Sequence, residues 1–123
     1  MKPRRCFYHV FFTLLFSIFF ALSYADIEHV AVAGGSITEI IYRLGEQHKI
    51  VGVDSTSQYP VAAKDHPLLG YARNVSTEGV LSLSPDLFIG ETDTGPSKIV
   101  NQIKATGVNT VITKSYPVKP ATT

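Results

Sequence analysis

Tyr71 and Arg73 stand two residues apart in the polar stretch Gly70-Tyr-Ala-Arg-Asn-Val-Ser76. A phenol ionises in water at about pH 10. A bound ferric ion favours the phenolate, and tyrosinate is a known axial ligand of haem iron. A guanidinium beside it could stabilise that phenolate or grip a carboxylate of the same ligand bidentately. In an extended loop, positions i and i+2 share a face, so both side chains are expected to point the same way. The plain alternative is a surface tyrosine packed on Pro67 or Leu69, next to a solvated cation.

Other residues could join them. Gly34-Gly35-Ser36 lies between an apolar run and a helical pattern, where free backbone N–H groups favour an anion. An ordinary tight turn explains the same residues, and the spacing is not that of a dinucleotide fingerprint. Tyr59 could line a cleft or pack within its loop. Glu91 and Asp93 follow a predicted strand and are expected in a solvated loop, with the mouth of a cleft as the alternative. His29, His48 and His66 are scattered, with no helical metal spacing. His66, nearest to Tyr71, is the one candidate for an auxiliary iron ligand. No Ser-His-Asp motif or nucleophile elbow appears, so an enzyme is not expected.

These residues need a scaffold, and the hydrophobic pattern supplies one. Strands are expected at 27–33, 50–53, 87–89 and 108–112. Ser36 and Glu39 have capping-box spacing, so a helix is expected to start there. Ile37, Ile40, Ile41 and Leu44 would form its apolar face, and Gly45 would stop it. Residues 54–74 read as loop, with one helical turn over 61–64. Ser76 is the expected cap of a helix over 78–82. Gly95-Pro96 opens another helix, with Ile99, Val100 and Ile103 on its apolar face and Gly107 at its end. Strands alternating with helices predict an α/β fold with a parallel sheet flanked by helices.

Lys2, Arg4 and Arg5 precede the apolar run 10–22, and Ser23-Tyr-Ala25 follows it. That order is the pattern of a cleavable signal peptide over 1–25. The run is shorter than the roughly 20 residues a spanning helix needs. The one cysteine, Cys6, lies within that segment, so no disulfide or thiolate site is expected in the exported part. Residues 26–123 keep eight of the eleven Lys and Arg against ten Asp and Glu, a net charge of −2. A nucleic-acid binder would show a basic face instead. Residues 26–113 are expected to form one domain, and 114–123, with two prolines, an irregular tail.

The stretch from Gly70-Tyr-Ala-Arg73 through Ser76-Thr-Glu-Gly-Val-Leu-Ser-Leu-Ser-Pro-Asp-Leu87 resembles the periplasmic haem-binding proteins of bacterial ABC-type haem importers. Gly34-Gly-Ser-Ile-Thr-Glu39, Val51-Gly-Val-Asp-Ser-Thr-Ser-Gln-Tyr-Pro60 and Ala105-Thr-Gly-Val108 fit the same family, so the resemblance runs over residues 28–113. It implies the N-terminal lobe of a two-lobed binding protein, exported to the periplasm, with haem as the transported ligand. It implies Tyr71 as the axial iron ligand, with Arg73, Gly35, Ser36 and Tyr59 around the hemin. It also implies that Glu78 docks an inner-membrane permease driven by an ATPase. Glu78 equally suits a helix first turn, where the dipole favours a carboxylate. The same fold serves siderophore and cobalamin importers, so a ferric siderophore or a corrinoid is the alternative ligand. A chain that ends before a second lobe could also be a truncated, non-binding remnant.

Overall fold

The computed structural model describes residues 8–16 and 26–114. Residues 8–16 form an exposed helical stretch within the expected signal segment. The expected cleavage point at Ala25 and the tail beyond residue 114 lie outside the described residues. No helix among the described residues is long and apolar enough to cross a membrane.

The element order is β1 (Val30–Ala33), α1 (Gly35–Arg43), β2 (Ile50–Val53), β3 (Gly70–Tyr71), β4 (Asn74–Val75), α2 (Thr77–Ser82), β5 (Leu87–Glu91), α3 (Ser97–Ala105) and β6 (Asn109–Thr113). Four strands form one parallel sheet in the order β2-β1-β5-β6. Parallel strands need helical crossovers, and those helices cover both faces.

Strand alternation sorts the core. Val30 and Val32 face α1 and pack near Ile37 and Ile41. Ala31 and Ala33 face the other side, with Phe88, Val80 and Ile103. Ala31 sits directly across from Phe88 in the ladder, so a small side chain makes room for a large one. Both are fully buried. Burying a phenyl ring and its aliphatic neighbours contributes about 2 kcal/mol per side chain.

Several expectations hold. Ser76 caps α2, its hydroxyl accepting the Gly79 N–H at 3.1 Å. Gly45 and Gly107 take positive φ after α1 and α3. A short 3-10 turn covers Val61–Asp65. Others do not. The first strand starts at Val30, three residues late, and the third runs on to Glu91. The capping box fails, because α1 has Gly34 at its N-cap with no side-chain cap bond. The apolar face of α1 overruns the sheet, leaving Ile40 and Leu44 exposed over an open apolar groove with Ile89 and Val111.

At the amino end of the sheet, the Asp86 carboxylate accepts the N–H groups of Glu28 and His29 at 3.1 and 3.0 Å. His29 Nδ1 adds a contact at 3.3 Å. The backbone N–H bonds, first that from Glu28, hold the Asp86 carboxyl below the usual carboxylate range.

Candidate ligand-binding site

The connections leaving β1 and β5 run in opposite directions, β1 toward β2 and β5 toward β6. Such a reversal opens a crevice beyond the carboxyl ends of the strands. An open cavity of about 300 Å³ lies there. It is lined by Gly34, Gly35 and Ser36 after β1, by Glu91, Asp93 and Thr94 around the end of β5, and by Thr56 and Tyr71 to Arg73.

The stretch expected as loop contains an antiparallel hairpin. Gly70 pairs with Val75 and Tyr71 with Asn74, so Ala72 and Arg73 form a two-residue turn. Its placement comes from distant chain. The Leu69 N–H donates to the Val53 carbonyl at 2.8 Å, and the Ser55 N–H to the Gly70 carbonyl at 2.8 Å. The Val75 N–H donates to the Gly95 carbonyl and the Gly95 N–H to the Ala72 carbonyl, both at 3.2 Å. Tyr71 and Arg73 therefore reach one cavity through a tight turn rather than an extended loop. Tyr71 is half exposed, at 49%.

The Arg73 guanidinium is engaged. Its Nη2 donates to Asp93 Oδ2 at 2.9 Å, and both side chains are more than half exposed. Glu91 and Asp93, expected in a solvated loop, thus belong to the cavity wall. Ser36 donates its hydroxyl to Glu91 Oε1; it lies within α1, whose N-cap is Gly34, and so is not placed to cap it. Gly34 has φ +150°, and a Cβ there would meet the Glu91 side chain at 2.7–2.9 Å. Glycine is thus needed both for conformation and for room. Gly90 is similarly closed in, since a Cβ would sit 2.6 Å from Thr94 Oγ1.

Beneath this wall lies a polar network missed in the sequence. Asp54 is 1% exposed. Its Oδ1 accepts the Gly34 N–H and the Ser57 hydroxyl, each at 2.9 Å. Its Oδ2 accepts the Thr56 N–H at 2.9 Å and the Thr56 hydroxyl at 2.5 Å. The Gly35 N–H donates to Thr56 Oγ1 at 3.1 Å. Two N–H groups expected to hold an anion at Gly34-Gly35 are therefore already bonded inside the protein. The signal for Asp54 was its place one residue past β2, at the carboxyl edge of a parallel sheet.

Tyr59 is exposed and lies outside the cavity lining. His66 is also elsewhere. Its Nε2 is hydrogen-bonded to the Tyr42 hydroxyl at 2.7 Å, and it lines a separate cavity with Lys64 and Gln58. Burial, and secondarily the charge of Asp65, raises the Tyr42 phenol above its ordinary range. His66 is not placed beside Tyr71. Glu78 is exposed in the first turn of α2, away from the cavity.

A parallel sheet with a polar crevice at its switch point defines an α/β ligand-binding lobe. The chain belongs to the periplasmic binding protein family, whose profile matches residues 30–120. A vitamin B12-binding protein of Vibrio vulnificus is 33% identical over 94 residues, covering 76% of this chain and 34% of its own length. A periplasmic heme-binding protein from Pseudomonas aeruginosa is 40% identical with TM-score 0.71, covering 72% of this chain and 32% of its own. One from Roseiflexus is 44% identical with TM-score 0.69, covering 72% and 34%. The chain spans about a third of the length of the curated relative it matches. These relatives are binding proteins, and the family is one of binders rather than enzymes.

Proposed function

We propose that the chain binds haem for an ABC-type import system, with the Tyr71 oxygen as axial ligand of the ferric iron. The observation that carries this reading is the convergence of Tyr71 and Arg73 on one cavity at the switch point. Identity of 40–44% with heme-binding structures supports the choice of ligand. In this reading residues 1–25 direct export to the periplasm and are removed. Residues 26–113 act as the N-terminal lobe, with 114–123 an irregular tail. Arg73 serves a propionate or the phenolate, and the Ser36 and Gly35 edge flanks the macrocycle. Tyr59 does not line the cavity and is left out of the site. Glu78, exposed on α2, docks a permease powered by an ATPase.

The second reading is a corrinoid. It is favoured by the curated vitamin B12-binding relative and by the two carboxylates in the cavity wall, which suit amide donors. Titration with hemin and with cyanocobalamin decides between them. The haem reading expects a shifted Soret band at stoichiometric hemin, unaffected by excess cyanocobalamin. A spectrum identical to that of free hemin, or displacement by cyanocobalamin, would remove it.

A further inference from the structure

Arg73 and the Ser36 hydroxyl in the first turn of α1 are the two donors of the cavity wall that suit a ligand carboxylate, and each already faces a carboxylate of the protein. Asp93 Oδ2 holds Arg73 at 2.9 Å. Glu91 takes the Ser36 hydroxyl and lies against Gly34, at the start of a nine-residue helix. That helix has no acidic residue in its own first turn; the buried Asp54 carboxylate takes the Gly34 N–H there, and Glu91 adds from β5 a second negative charge that the dipole favours. Two positions apart on one short segment, Glu91 and Asp93 occupy both slots at once.

We infer that Glu91 and Asp93 are internal stand-ins for ligand carboxylates and set the cavity's discrimination by ligand charge. The inference rests on the haem reading, because hemin carries two propionates. With one guanidinium against two carboxylates, the wall opposes a dianionic ligand. Ligand entry exchanges Asp93 for a propionate on Arg73. The exchange is feasible because the pair is solvent-exposed, and such pairs are held weakly. A buried pair would resist it. The same wall disfavours a ligand with more negative charge than hemin and tolerates one whose acids are masked.

The test is a charge cycle on the purified chain. Hemin and hemin dimethyl ester, which has no carboxylates, are titrated into wild type, Glu91→Gln and Asp93→Asn. Both substitutions keep shape and remove one charge, and circular dichroism checks that each variant folds. Each variant is expected to bind hemin about threefold to tenfold more tightly at low ionic strength, with the gain shrinking in high salt. The gain on the dimethyl ester is expected to be several-fold smaller. Equal gains on diacid and ester, or weaker diacid binding in both variants, would overturn the inference while leaving Tyr71 ligation intact. If neither wild type nor variants shift the hemin spectrum, the haem reading falls and takes this inference with it.

Discussion

Two carboxylate clusters meet at Gly34 on the carboxyl edge of the sheet, and they do opposite work. Asp54 is buried and accepts four hydrogen bonds from Gly34, Thr56 and Ser57. Every one of those donors belongs to the turn or helix start it holds. Asp93, exposed, and Glu91, half-buried, use the same chemistry on Arg73 and Ser36. A buried carboxylate whose donors are all internal fixes a scaffold, since losing it strands polar groups away from water. An exposed one paired like Asp93 with Arg73 is held weakly and is free to trade its partner for a ligand. Exposure therefore divides structure from recognition here, although residue type and position along the strands are alike.

The sharpest way to break that comparison is Asp54→Ala. It strands the Gly34 and Thr56 N–H groups, while the Ser57 hydroxyl keeps Thr38 as a partner. Urea unfolding is expected to show a loss of about 2–4 kcal/mol. A loss below about 1 kcal/mol would mean that the network is not structural.

Gly34→Ala touches both clusters, because its N–H bonds Asp54 while its Cβ would strike Glu91. The expected cost is about 1–3 kcal/mol in the same assay, from the positive φ and the displaced carboxylate.

Arg73→Ala should do the reverse. Its pair with Asp93 is exposed, so stability is expected to change by less than about 1 kcal/mol. Hemin affinity is expected to fall several-fold, read by Soret titration. A large stability loss would place Arg73 with the scaffold.

The smallest effect belongs to Asp86, which is exposed like Asp93 but bonded to backbone like Asp54. Its folded-state pKa lies below the ordinary carboxylate value. The stabilisation it gives is therefore present above the unfolded value, about 4, and is lost as pH falls through the folded one. Urea midpoints compared at pH 6 and pH 3 should fall less in Asp86→Asn than in wild type. An unchanged acid limb would show that backbone partners alone do not make an exposed carboxylate structural.

The scaffold was largely legible in the sequence. Apolar alternation, the Ser76 cap and the helix stops at Gly45 and Gly107 are local signals, and the elements followed them. The site was legible in its members more than in its assembly. The hairpin at 70–75 has two residues per strand, too few for a pattern, and its place depends on Ser55 and Gly95 far along the chain. Ser36 carried a capping-box signal, but its hydroxyl turns to Glu91, 55 residues away. Glu91 and Asp93 look like solvated loop residues until the strand order puts β5 beside β1. Three of the four bonds to Asp54 come from Thr56 and Ser57, a local turn that Asp54-Ser-Thr-Ser57 could have signalled, and only the Gly34 N–H is brought to it by the fold.

The account depends on the Tyr71 oxygen meeting iron, and spectroscopy of the hemin complex tests this most directly. Resonance Raman of wild type should show an iron–phenolate stretch with a high-spin ferric Soret band, and Tyr71→Phe should lose both while melting at the wild-type temperature within a few degrees. The same spectrum in wild type and Tyr71→Phe would contradict the account.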